Sequence, residues 1–224
     1  MIIDTNTQGA PLLPADSGKP SSASALSPDE VEALCKSGCF VLDLRRASSF
    51  GEAHIPGSYH VDFINSAALN WIGVAVPPGE RLVLILPPDK TFADLATELH
   101  RIGFDQLEGW LDGGIEAWSA SGRETASLPR ITATELRERL ALPNPPTLID
   151  VRRPDEFNAA RIDGAINLPF DHFVELETCP VPTDMDVVVV CQSGFRASIA
   201  GSILLAQGCE RIHLLDGGMI AWQN

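Results

Sequence analysis

Val187-Val188-Val189-Val190-Cys191-Gln192-Ser193-Gly194-Phe195-Arg196 places a thiol directly after four valines, with a glycine and an arginine close behind it. A four-valine run has the β-branched composition of a buried strand. The apolar pattern that resumes at Ala197 reads as a helix, so Cys191 falls in a strand-to-helix loop. Such a loop offers backbone N–H groups that have no partner inside the helix, and the helix dipole adds partial positive charge there. Both favour charge on a sulfur nucleophile. Gly194 permits a positive φ, which lets successive N–H groups converge on the sulfur. Arg196 supplies a fixed cation able to hold an anionic substrate group through two parallel hydrogen bonds. Read this way, Cys191 and Arg196 are the catalytic candidates, and Gln192, Ser193, Gly194 and Phe195 form the substrate-binding loop.

A cysteine after a strand is also a common buried packing residue. The sequence itself supplies a comparison. At the matching point upstream the chain reads VLILPPDKTF, with Pro87 in place of the cysteine, Lys90 in place of the glycine and Phe92 in place of the arginine. Proline has no amide hydrogen to donate. One half of the chain carries a loop for sulfur chemistry and the other half lacks it.

The two halves otherwise match in order. Leu42-Asp43-Leu44-Arg45 recurs as Ile149-Asp150-Val151-Arg152, and His54-Ile55-Pro56-Gly57-Ser58 as Arg161-Ile162-Asp163-Gly164-Ala165. Asp112-Gly113-Gly114-Ile115-Glu116-Ala117-Trp118 recurs as Asp216-Gly217-Gly218-Met219-Ile220-Ala221-Trp222. Each unit opens on a capping-box pattern, Ser27-Pro28-Asp29-Glu30 and Thr132-Ala133-Thr134-Glu135. The chain is a tandem duplication. Apolar runs such as FVLDL, TLIDV and DVVVVC alternate with stretches read as amphipathic helices, FADLATELHRIG and ASIAGSILLAQG. The fold class is therefore α/β, two domains each with a mainly parallel sheet and helices on both faces. In such sheets ligands bind beyond the carboxyl ends of the strands, where Cys191 falls. The expected boundaries are a flexible lead-in over 1–25, a first domain over 26–120, a linker over 121–129 and a second domain over 130–224. Asp150 and Arg152 lie near the loop, but Asp43 and Arg45 repeat them in the half without a cysteine. They read as a structural ion pair. Trp118 and Trp222 read as core aromatics.

Composition removes several classes of function. With 224 residues and a net charge of −14, the chain lacks the basic surface a nucleic acid partner needs. No apolar run is long enough for a membrane span, and the N-terminus has no signal-peptide pattern. The expected location is the cytoplasm. Five cysteines without a secretory signal read as reduced thiols, with Cys35, Cys39, Cys179 and Cys209 as packing or surface residues. Without a CxxC pair or metal-ligand histidine spacing, neither a metal nor another cofactor is expected.

Asp150-Val151-Arg152, Glu156-Phe157, Gly164-Ala165-Ile166-Asn167-Leu168-Pro169, Cys191-Gln192-Ser193-Gly194-Phe195-Arg196, and Asp216-Gly217-Gly218 with Ala221-Trp222 together resemble a rhodanese domain. The resemblance spans residues 131–224, and extends over 26–120 in all but the active loop. It implies a tandem rhodanese with an inactive first domain and an active second one. Its activity would be sulfur transfer through a persulfide on Cys191, from thiosulfate or a low-molecular-weight persulfide to a thiol or cyanide. Asn70-Trp71-Ile72-Gly73 before Val76-Pro77-Pro78 is similar to the rhodanese region attached to some persulfide dioxygenases, although no metal-binding HxHxDH run is present. Related phosphatases use a loop one residue longer than the six residues from Cys191 to Arg196. A Cys-dependent phosphatase or arsenate reductase is thus the lesser alternative. Another is a sulfur-relay or binding adaptor whose cysteine is loaded by a persulfide-producing enzyme.

Overall fold

The computed structural model describes residues 23–176 and 178–224. Each half is an all-parallel five-stranded sheet. In the first, β1 (Ser24–Leu26), β2 (Phe40–Asp43), β3 (Tyr59–His60), β4 (Leu82–Ile85) and β5 (Leu107–Leu111) lie in the order β1-β5-β4-β2-β3. In the second, β6 (Arg130–Ile131), β7 (Thr147–Asp150), β8 (Ile166–Asn167), β9 (Asp186–Val190) and β10 (Arg211–Leu215) lie in the order β6-β10-β9-β7-β8. The duplication is therefore topological as well as sequential. Helices α1 (Pro28–Lys36), α2 (Ala47–Glu52), α3 (Ala68–Ala75), α4 (Phe92–Arg101) and α5 (Gly114–Ala120) belong to the first sheet. Helices α6 (Ala133–Leu140), α7 (Pro154–Ala159), α8 (Phe170–Phe173), α9 (Phe195–Ala206) and α10 (Gly218–Trp222) belong to the second. Both expected capping boxes form, Ser27 with Glu30 and Thr132 with Glu135.

Three sequence expectations about boundaries and thiols change. The lead-in is shorter than 1–25, because Ser24 and Ala25 pair with Gly109 and Trp110 and Leu26 is buried. A side chain at Gly109 would collide with the Ser24 carbonyl, so the glycine is what lets β1 close the sheet edge. Residues 1–22 of that expected lead-in lie outside the described residues. The expected linker 121–129 is packed: Ala126 and His54 exchange backbone hydrogen bonds at 2.9 and 3.0 Å, and Leu128 is buried. Finally, Cys179 and Cys209 are not reduced packing thiols but form a disulfide, with Cα atoms 6.3 Å apart. The loop ahead of β9 folds back over the end of α9, where Gln207 Nε2 donates to the Leu176 carbonyl at 2.7 Å. Glu210 N–H donates to the Thr183 carbonyl at 2.9 Å. No sequence spacing foretells that return. Cys35, Cys39 and Cys191 are free.

Helix α9 is not amphipathic. Ala197 through Leu204 are all buried, because α9 lies between its own sheet and the first domain. A helix apolar on every side has neighbours on every side. Its small residues let those neighbours close in. Leu128 and Leu214 side chains sit against Gly201 so tightly that an added Cβ would lie 2.9–3.0 Å from them. From the first domain, the His60 backbone N–H donates to Ser202 Oγ at 3.0 Å. One apolar core runs through both halves, from Leu42 and Phe50 to Phe170 and Ile203, with a smaller outer core on each far side.

His60 marks this seam chemically. It is fully buried against Phe50, and its Nε2 bonds the Arg45 carbonyl at 3.0 Å, so Nε2 carries the proton. Nδ1 has no partner. Burial pushes the imidazole pKa down from 6.5 to about 4. A depressed histidine pKa contributes stability that is complete above the unfolded value of 6.5 and is lost as pH falls towards about 4. Urea unfolding at pH 7 and pH 4.5 should therefore show a loss of about 2 to 3 kcal/mol attributable to His60. His60→Gln should lose less over the same interval; an unchanged pH dependence would contradict the assignment.

Candidate active site

Cys191 stands at the carboxyl end of β9, an interior strand of its sheet, and Phe195 begins α9. The sulfur accepts a hydrogen bond from the Gly194 backbone N–H at 3.1 Å. Gly194 has φ +97°, and this left-handed turn aims its N–H back at the sulfur. No side chain caps α9 and its first turn holds no acid. Cys191 is itself only 1% exposed, which a packing cysteine would also satisfy. The Gly194 N–H aimed at the sulfur is the feature that a packing role does not call for.

The first domain shows the contrast at the same place. Thr91 and Asp94 form a capping box at the start of α4, with Thr91 N–H and hydroxyl both donating to Asp94. In the first domain the chain's own carboxylate meets the helix start, where the second domain has no acid in the first turn. Phe92, the counterpart of Arg196, stacks on Trp110 at 4.9 Å.

Arg196 does not stand free to receive an anion. Its two terminal nitrogens donate to Glu156 at 2.6 and 2.8 Å, and both side chains are largely covered. The hydrogen bonds from Arg196 hold the Glu156 carboxyl below the usual range, and Glu156 in turn raises the guanidinium. Glu156 also accepts from the Arg153 N–H at 3.2 Å, capping α7. The clamp thus joins the first turn of α9 to the first turn of α7. Sequence reading carried Glu156 only as part of a motif.

Asp150 and Arg152 form the structural pair expected of them. Arg152 Nε and Nη2 hold both Asp150 oxygens at 2.7–3.0 Å, and the Arg45–Asp43 pair repeats this in the first domain. Arg152 also reaches the loop, with Nη1 3.5 Å from Gln192 Oε1. The Asp216-Gly217-Gly218 turn supports the loop from behind. Met219 and Ile220 N–H groups donate to the Cys191 and Gln192 carbonyls at 2.9 and 3.1 Å. Trp222 packs under Arg137, 4.5 Å from the guanidinium carbon to the ring centre. Ser193 is exposed, while Gln192 and Phe195 are half-buried. Phe195 meets Trp71 of α3 edge-on at 5.9 Å, and Trp71 meets Phe170 at 5.4 Å. Trp71 and Phe170 border a cavity of about 310 Å³ lined also by Arg153, Glu156, Asp171 and Arg196, with Val151 and Pro169. The first domain therefore contributes a wall to the second domain's pocket. Among the described residues no cluster of metal-binding side chains occurs, and no helix is long and apolar enough to cross a membrane.

The model of the rhodanese-like domain matches this chain twice, over residues 27–121 and 132–224. The chain belongs to the rhodanese family. A sulfurtransferase of Allochromatium vinosum is 38% identical over 92 residues, covering 41% of this chain and 85% of its own length. The thiosulfate sulfurtransferase GlpE of Shewanella oneidensis is 38% identical over 82 residues, covering 34% of this chain and 75% of its own. A crystal structure of a thiosulfate sulfurtransferase from Pseudomonas aeruginosa aligns over 89% of this chain and 42% of its own, at 22% identity and TM-score 0.40. This protein is thus a tandem rhodanese of the sulfurtransferase family.

The two Asp-Gly-Gly turns of this rhodanese allow a matched test. Gly218 and Gly114 both have positive φ, +58° and +63°. A Cβ on Gly218 would collide with the Cys191 carbonyl and lie 2.8 Å from that of Gln192, whereas on Gly114 it meets only the Glu116 carboxylate, 3.1 Å away. Gly114→Ala should cost about 1 to 2 kcal/mol of unfolding free energy, the usual left-handed strain. Gly218→Ala should cost about 3 kcal/mol or more, because backbone must move as well. Equal losses in urea denaturation would mean the turn does not support the loop.

Proposed function

We propose that this rhodanese moves a sulfane sulfur from a small donor, thiosulfate or a low-molecular-weight persulfide, to a thiol or cyanide through a persulfide on Cys191. The observation that carries this reading is the Cys191 sulfur facing the uncapped start of α9 and bonded by the Gly194 N–H at 3.1 Å. Burial disfavours the thiolate at the other two free cysteines. Burial pushes Cys39 up to about 11, and its thiol donates to the Arg81 carbonyl at 3.0 Å. Burial also pushes Cys35 up.

In the first half-reaction the Cys191 thiolate attacks the outer sulfur of the donor. The new S–S bond forms as the donor's own S–S bond breaks, and sulfite or the parent thiolate leaves with the electron pair. The terminal sulfur now bears the negative charge and needs donors of its own. The helix start, with Gly194 N–H nearest, supplies them. In the second half-reaction cyanide or a thiolate attacks that terminal sulfur, and the Cys191 thiolate leaves. Electrons balance over the two steps, so the cycle requires neither redox partner nor metal.

Arg196 acts by position in this scheme. Its bidentate contact with Glu156 fixes the first turn of α9 against the first turn of α7, beside the loop. Asp150 and Arg152 hold the strand end, and Gln192 links that pair to the loop.

Incubation of the reduced protein with thiosulfate or glutathione persulfide, followed by intact and peptide mass spectrometry, should show one added sulfur on the peptide containing Cys191. Cyanide should remove it as thiocyanate. Cys191→Ser should lose both uptake and turnover by at least about 10³-fold, as expected for loss of a nucleophile. Full turnover in Cys191→Ser would end this reading.

A further inference from the structure

The cavity beside α9 combines features that an inorganic dianion does not use. Its charged lining sums to zero, with Arg153 and Arg196 against Glu156 and Asp171. Arg196 is already neutralised by a close bidentate contact in a mostly covered position. Arg153 differs. Its contacts with Asp155 at 3.0–3.1 Å are between side chains 66% and 70% exposed, a pair that water readily exchanges. Asp171 stands near Arg153, is exposed, and has no hydrogen-bond partner among the described residues. The remaining lining, Trp71, Phe170, Pro169 and Val151, is apolar. A volume of about 310 Å³ is also at the small end of organic-ligand pockets rather than the size of a five-atom anion.

We infer that this cavity selects an organic thiol or persulfide carrying both an ammonium and a carboxylate. Trp71 of the cysteine-less domain serves as its apolar wall, and Arg153 and Asp171 are its charged contacts. The inference rests on the sulfur-transfer reading and adds the class of molecule that reading leaves open. A thiol bearing an amino acid presents methylenes to Trp71 and Phe170, its carboxylate to Arg153 and its ammonium to Asp171. Its outer sulfur would then lie beside Arg196, which ends the Cys191–Arg196 loop and lines the cavity. The transfer is the one already balanced: Cys191 thiolate takes the outer sulfur and the parent thiolate leaves. Thiosulfate brings two negative charges to a site whose nearest cation is already paired. The first domain has lost its own cysteine loop, yet through Trp71 it determines which donor the second domain accepts.

Single-turnover loading of Cys191, followed by mass spectrometry with either cysteine persulfide or thiosulfate as donor, tests this in the full chain. The wild type should load from cysteine persulfide with the higher second-order rate constant, by about 10-fold or more, the discrimination a few apolar contacts provide. Trp71→Ala and Asp171→Asn should each reduce that preference by about 10-fold, and Trp71→Phe should restore most of it. Glu156→Gln keeps the α7 cap but releases Arg196, and should shift preference towards thiosulfate. A wild type that prefers thiosulfate would overturn the inference. So would Trp71→Ala or Asp171→Asn variants that slow both donors equally, since that pattern belongs to a structural role. Failure of both donors to leave sulfur on Cys191 would instead remove the sulfur-transfer reading, and this inference with it.

Discussion

The first four backbone N–H groups of an α-helix have no carbonyl partner within it, and the two repeats meet that requirement with different atoms. In the first, Thr91 and Asp94 close the start of α4, and the helix dipole is answered by the protein's own carboxylate. In the second, Gly194 turns the chain through positive φ and leaves the start of α9 facing Cys191. A carboxylate at the first helix start leaves no place for a substrate anion. In the proposed cycle the sulfur becomes charged, gains a second sulfur and loses it again, beside the Gly194 N–H. At this level the two rhodanese repeats differ in which group meets one helix start.

Leaving that helix end open places demands on the rest of α9, which must be held without help from a capping side chain. The structure does this by burial. Ala197 to Leu204 pack on the second sheet, on Leu128 of the connecting segment and on the strand that carries His60. Removing the first domain would expose a face of α9 that is apolar apart from Ser202, so the first repeat serves as a covering layer. The Glu156–Arg196 clamp and the Gly218 turn then fix the loop from two further directions. These constraints explain why a half-molecule without the cysteine still keeps the whole parallel sheet.

The order of elements was readable because each is a local pattern. Four valines before Cys191, the paired capping boxes and the two Asp-Gly-Gly turns each carry their meaning within a few residues. The asymmetry of the loops was readable for the same reason, as Pro87 against Cys191. What escaped was long-range. Trp71 meets Phe195, Cys209 finds Cys179, and Leu128 fits Gly201 through the way two sheets dock, and no sequence period encodes that docking. The low polarity of ASIAGSILLA did carry a signal. A helix without a polar face has no side for solvent, which distinguishes α9 from FADLATELHRIG, whose polar face is exposed.

The role of Arg196 shows how a motif can identify a residue while leaving its task open. Its spacing from Cys191 suggested a cation waiting for an anionic substrate, but Glu156 already occupies both terminal nitrogens. Guanidinium–carboxylate pairing of this kind trades reach for rigidity, since a bidentate contact fixes the plane of both groups. It also lowers the field an incoming anion would experience, because the pair presents a dipole in place of a charge. A site built this way gains little from a donor's net negative charge, which leaves recognition to the apolar wall and to the Arg153 and Asp171 contacts. Trp71 and Phe170 stand where the apolar contact would be made, which links the geometry of the catalytic helix to the choice of donor.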